Sequence, residues 1–183
     1  GEGQMLACAK HWDKLCRSAA EYGVQPCRTA EEVVRESDVV IVAVKPYLIE
    51  EVLTPLRPLL GEKAVVSVAA GWLCGRFEAL LPGARHVSIM PNTPVRVCEG
   101  VILMEDAHTL DESQAAQVRR LLSALGLVET VEGRLMGIGG AISGCGPAFA
   151  AMFIEALGDA GVRHGLPRAA AYRLAAQMLA GTG

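Results

Sequence analysis

The sequence has no basic face, no close cysteine pair and no metal-ligand cluster, and each absence narrows what the protein can do. Lys and Arg number 17 against 20 Asp and Glu, for a net charge of -3, and the cations are scattered. That excludes the electrostatic footprint of a nucleic-acid or anionic-membrane binder and points to a small-molecule partner. The six cysteines show neither a CxxC pair nor the dense spacing of a secreted disulfide scaffold, so a reducing, cytoplasmic setting is expected. His11, His86, His108 and His164 lie far apart with no Cys or carboxylate at ligand spacing, and no metal is expected. The N-terminus lacks the basic, apolar and small-residue regions of a leader, and no apolar run reaches the roughly 18 residues of a membrane helix, so no membrane partner is expected. Neither a catalytic triad nor a pair of acids stands out, and no catalytic side chain is assigned.

What the sequence does have is apolar side chain to bury: 51% of its residues are hydrophobic and 20% charged, a balance that folds. Its 183 residues fit one domain, or one domain and part of a second. Up to residue 133, short β-type runs alternate with helical ones, the pattern of a mostly parallel sheet in an α/β fold. Strands are predicted at 5–9, 24–27, 39–44, 64–69, 86–90, 101–104 and 128–131. Between them, a helix over 13–22 stops at Gly23, and Thr29 with Glu32 predicts a capping box. Ile49, Val52, Leu53, Leu56 and Leu60 predict one helix, another follows near 75–80, and Asp111 caps a third striped by Ala115, Val118, Leu122 and Leu125. From residue 134 the pattern changes. Residues 147–164 are apolar nearly all round, as in an enclosed helix, and a second helix starts at Pro167. Two such helices do not form a stable module alone, so 1–133 and 134–183 read as separate units, the second covered by further helices or by another copy.

In a parallel sheet, ligands bind outside the carboxyl ends of the strands. Three strand-end turns are candidates. Ala43, Val44, Lys45 and Pro46 bring a lysine to that edge, although the proline equally well only ends the strand. Ala69, Ala70 and Gly71 let a backbone approach a flat ring closely, or simply form a tight turn. In Met90-Pro91-Asn92-Thr93-Pro94, two prolines fix an amide and a hydroxyl that can hydrogen-bond a ligand. A fourth feature is the glycine-rich stretch 137–147. There Ser143, Gly144 and Gly146, with the free amides expected near Pro147, can hold a carboxylate at a helix N-terminus, or the glycines can serve close helix packing.

In this order, DVVIVAVKP, VSVAAG, MPNTP, ISGCGPAFA and FIEALGDAGVRHGLPRAAAYRLAAQ resemble the pyrroline-5-carboxylate reductase family, over nearly the whole chain. The resemblance implies a Rossmann-like dinucleotide-binding domain over 1–133 and the start of an all-helical dimerisation domain over 134–183, in a homodimer or larger homo-oligomer. It implies hydride transfer from NADPH or NADH to the C=N bond of a cyclic imino acid, giving L-proline. By position, Ala43 to Pro46 line the ribose and pyrophosphate side of the cofactor, Ala69 to Gly71 meet the nicotinamide half, and Asn92 and Thr93 sit at its boundary with substrate. Ala9, Lys10 and His11 follow the strand that meets the adenosine ribose, where a cationic Lys10 favours the extra phosphate of NADP.

The sequence departs from the family in places. The Gly-rich turn after a first strand belongs before Met5, where only Gly1-Glu2-Gly3-Gln4 stands, and the family's Ser-Pro-Gly-Gly-Thr-Thr stretch belongs after Gly183. Ala30 stands where many relatives have asparagine, and Cys145 replaces a common serine. Little reductase activity is therefore expected of this polypeptide by itself. A reductase-like interaction or regulatory module is the non-enzymatic alternative. Another imine or β-hydroxyacid reductase is the enzymatic one, although the helix after Pro147 offers Glu155 and Asp159 but no lysine.

Overall fold

The computed structural model describes residues 4–183. Two short parallel strands, β1 (Leu6–Ala7) and β2 (Gln25–Pro26), form one sheet. A second sheet of five strands has the order β3 (Val39–Val42), β4 (Ala64–Ser67), β5 (Arg85–Pro91), β6 (Gly100–Glu105), β7 (Gly126–Val131). β3, β4 and β5 are parallel, β6 runs antiparallel to β5, and β7 is parallel to β6. The mostly parallel sheet expected from the alternating pattern is thus present, with one reversal. That reversal follows from the link between β5 and β6, a 3-10 turn over Thr93–Val97 closed by Cys98 at φ 60, which is too short for a crossover.

The helices α1 (Trp12–Tyr22), α2 (Ala30–Arg35), α3 (Ile49–Leu53), α4 (Arg57–Leu60), α5 (Cys74–Leu80) and α6 (Glu112–Ser123) connect these strands. Side chains alternate across a strand. Val65 therefore packs with Ile49, Leu53, Leu60 and Phe77 on one face, while Ala64 and Val66 pack with Val118 and Leu122 on the other. Burial on both faces is why the central strands read as continuous apolar runs. Between the two sheets lies a groove lined by Met5 to Cys8 on one side and Val39 to Val44 on the other.

Three local expectations change. Thr29 Oγ1 accepts the Glu32 amide at 3.2 Å, but the Glu32 carboxylate accepts the amide of Arg28 at 2.9 Å, so the box closes one residue early. The complete capping box is at α6, between Asp111 and Gln114. The single helix expected over residues 49–60 is broken between α3 and α4, where Pro55 has no amide to donate.

The largest change is α7 (Met136–Arg163), a continuous helix of 28 residues that holds Pro147 in its interior. It begins before the glycine-rich stretch, not at Pro147. The segment Gly133–Arg163 is also long and apolar enough, by length and composition, to cross a membrane, which corrects the expectation that no run qualifies. Nor is the helix enclosed by its own chain: Ile142 is 73% exposed and Phe149 64%. One side is covered by α8 (Arg168–Thr182), which follows Pro167 as expected. There a Cβ at Gly158 would stand 2.6 Å from the Tyr172 ring, so glycine sets the close approach.

Candidate functional site

The parallel register pairs Val42 with Ser67 and Ser67 with Ser88. The carboxyl ends of β3, β4 and β5 therefore lie along one edge, and the three candidate turns follow them there. Trp72 links two of these turns, its indole N–H donating to the Pro46 carbonyl at 2.9 Å. Gly71 takes φ 75, a left-handed backbone that glycine adopts without a Cβ penalty. Arg76 donates to the Gly71 carbonyl at 3.3 Å and lies over the Trp72 ring, 4.0 Å from its centroid. Ala70 and Lys45 are exposed at this edge.

Asn92 ties the third turn to α7. Its Nδ2 donates to the Ser143 carbonyl at 2.9 Å, and its Oδ1 accepts the Val101 amide at 2.8 Å. Within a helix the Ser143 carbonyl takes its hydrogen bond from the amide of residue 147, which here is proline and has none. A side chain 51 residues away replaces the missing donor. One expectation is corrected by this arrangement: Ser143, Gly144 and Gly146 lie inside α7, not at a helix N-terminus with free amides. The Asn92 amide also ties this turn to the helix. The Ser143 hydroxyl turns back to the Gly139 carbonyl at 3.0 Å. Thr93 is exposed next to the linkage. Gly140 lets α7 rest against the Met90 sulfur, and a Cβ at Gly139 would stand 2.7 Å from Leu103 Cδ1.

Ala9, Lys10 and His11 lie elsewhere, exposed after β1 on the far side of the groove. A residue the sequence reading passed over joins them: Arg28 follows β2, and its guanidinium lies 3.6 Å from the Trp12 ring centroid. Only the pairing of β1 with β2 shows that this cation flanks the same end as Lys10, since nothing in the local sequence marks it. Burial pushes the thiol of Cys8 up, helped by Cys27 and Glu32, and burial does the same to Cys74, helped by Glu105. Neither is an activated nucleophile. Among the described residues no group of three or more His, Cys, Asp and Glu side chains is placed to hold a metal. The site is an open edge of small residues and fixed carbonyls, suited to a flat ring and a ribose more than to covalent chemistry.

Residues 134–183 match the family described as pyrroline-5-carboxylate reductase dimerisation, and residues 1–71 match the one described as NADP oxidoreductase, coenzyme F420-dependent. The chain is 44% identical to the pyrroline-5-carboxylate reductase of Treponema pallidum, over 98% of its own length and 70% of that protein's. The structure is similar to a pyrroline-5-carboxylate reductase from Coxiella burnetii, with a TM-score of 0.87 and 31% identity, covering 96% of this chain and 67% of that one. It is also similar to the Plasmodium falciparum pyrroline carboxylate reductase with NADP bound, with a TM-score of 0.80 and 32% identity, covering 86% of this chain and 62% of that one.

Proposed function

The chain belongs to the pyrroline-5-carboxylate reductase family, and we propose that it serves hydride transfer from NADPH or NADH to the C=N carbon of 1-pyrroline-5-carboxylate, a proton reaching the nitrogen, to give L-proline. The observation that carries this reading is the convergence of three strand-end turns and α7 on one edge, joined by the Trp72 to Pro46 and Asn92 to Ser143 hydrogen bonds.

A reduced nicotinamide would supply the hydride. The residues fit such a group: Ala69, Ala70 and the left-handed Gly71 put no large side chain between the turn and a flat ring. Ala43, Val44, Lys45 and Pro46 line the ribose and pyrophosphate side. Thr93, with Ser143, Gly144 and Gly146 as part of a helix wall, bounds the substrate side, while Asn92 keeps that wall at the edge. The work of these residues is to hold two rings at near-attack distance and to exclude water, which needs rigid turns and no nucleophile.

Residues 1–133 then form the dinucleotide-binding unit and 134–183 the dimerisation unit, with a second copy covering the apolar side of α7. Six unpaired thiols suit a reducing, cytoplasmic setting. Lys10, at the same strand end as Arg28, favours the extra phosphate of NADPH over NADH. A Lys10→Ala variant is expected to lower the ratio of kcat/KM for NADPH to that for NADH, and an unchanged ratio removes Lys10 from that role. Product identification with several cyclic imines, using the protein as its gene encodes it, tests the reaction itself. Proline formed from 1-pyrroline-5-carboxylate, faster than any product from the other rings, is the expected result. Turnover of a different imine alone would reassign the substrate, and no cofactor oxidation with any of them would favour an interaction module.

A further inference from the structure

One row of residues across the middle of the five-stranded sheet is polar on a face that is otherwise apolar apart from His86, whose ring meets Glu78 at 3.0 Å. Ser67 on β4 pairs with Ser88 on β5. Glu105 on β6 follows Met104, the partner of Ile89, and so stands next to Ser88 in the antiparallel register. All three are buried, with Glu105 only 3% exposed. They share the face that carries Val65, Trp72 and Phe77. Polar groups in such a place are costly unless each finds a partner, and apolar residues would serve the core at least as well.

Each partner lies in the same short segment. Ser67 Oγ accepts the Ala69 amide at 3.2 Å, Ser88 Oγ donates to the Trp72 carbonyl at 2.6 Å, and Glu105 Oε2 accepts the Cys74 amide at 2.9 Å. The segment Ala69 to Cys74 is the turn after β4, and its Trp72 in turn donates to Pro46 in the turn after β3. The other Glu105 oxygen faces Gly133, where a Cβ would stand 2.7 Å from it, at the entrance to α7.

We propose that Ser67, Ser88 and Glu105 are positioning residues that fix the Ala69 to Cys74 turn from beneath, and through Trp72 also the Lys45 to Pro46 turn, so that both present a rigid surface to the cofactor. The link to cofactor rests on the reductase reading, whereas the fixing of the turn does not. A hydroxyl or a carboxylate from each of three neighbouring strands holds the start, middle and end of the turn, leaving it no free hinge.

The test compares Ser67→Ala, Ser88→Ala, Glu105→Ala and Glu105→Gln in the protein as its gene encodes it. Amide hydrogen exchange over residues 69–74 is read together with KM and kcat for the nicotinamide cofactor and KM for the imine. Each alanine variant is expected to speed exchange in that segment by about tenfold, the size of one lost buried hydrogen bond. The cofactor KM should rise by about the same factor, with imine KM and kcat within about twofold. Glu105→Gln keeps a carbonyl for the Cys74 amide and should restore both readings. Cys74→Pro covers the case in which an alanine variant fails to fold. It removes the donor itself at the first position of α5, where proline is tolerated, behind Leu73 with its extended ψ of 172, and it should reproduce Glu105→Ala. Exchange that rises evenly over the whole sheet with an unchanged cofactor KM would overturn the proposal by making the row ordinary core. Exchange that rises only at 69–74 upholds the fixing of the turn, and an unsubstituted protein without turnover would then count against the reductase reading instead.

Discussion

Asn92 performs for α7 what a backbone amide performs elsewhere, and that makes its energetic role testable. Removing its side chain leaves the Ser143 carbonyl, buried and facing Pro147, without a donor. Asn92→Ala is therefore expected to lower stability by about 1 to 3 kcal/mol, measured by urea unfolding. Pro147→Ala restores an intrahelical donor to the same carbonyl, so in that background the Asn92→Ala loss should shrink, and equal losses in both backgrounds would contradict the linkage. Neither MPNTP nor ISGCGP shows this pairing in the sequence. Pro147 reads locally as the first residue of a helix, and only the distant amide allows it to sit in an interior.

Glu105 makes a second prediction at the same scale. Burial pushes its carboxyl above the ordinary value, with Asp106 adding to the shift and the Cys74 amide opposing it. As pH rises, the unfolded chain releases this proton first. The stability contributed by protonated Glu105 is therefore complete below the ordinary carboxylate range and is lost as pH climbs to the higher folded-state value. Glu105→Gln should flatten this part of the stability profile, and an unaltered profile would show that the carboxyl is not the group responsible.

Among the elements, β6 and β7 show why some boundaries were legible and others were not. The apolar runs marked both strands, but their close approach depends on Gly126, at φ 138, where any Cβ would run into the Gly100 backbone. Gly126→Ala is expected to cost about 2 to 4 kcal/mol through strain and overlap together, read as a fall in Tm. A loss below about 0.5 kcal/mol, the ordinary range for a surface change, would mean the register can shift. The capping signal at Asp111 was readable because both partners are local. The break between α3 and α4 was not readable from the apolar spacing, which continues across Pro55 and gives no sign that the backbone does not.

For the whole molecule, the apolar side of α7 is the feature that one chain leaves unresolved by itself. The sequence already required a cover for it, though not its extent: Ile138, Ile142, Phe149, Met152 and Phe153 all remain exposed. If a second copy is the cover, Ile142→Asp with Phe149→Asp should convert the assembly to monomers in sedimentation, since two buried carboxylates without partners cannot be accommodated in an apolar contact. An unchanged assembly would place the interface elsewhere. The strand-end turns and their place at one site were expected from the sequence, whereas what ties them together was not, because it depends on Trp72 and Asn92 reaching across the edge.

The proposed reaction requires a nicotinamide cofactor lying along that edge. Backbone chemical shifts followed during titration with NADPH test this most directly. Ala43 to Lys45, Ala69 to Gly71 and Asn92 to Thr93 are expected to move together and saturate at one concentration. Saturable shifts confined to other surfaces, with these turns unmoved, would contradict it.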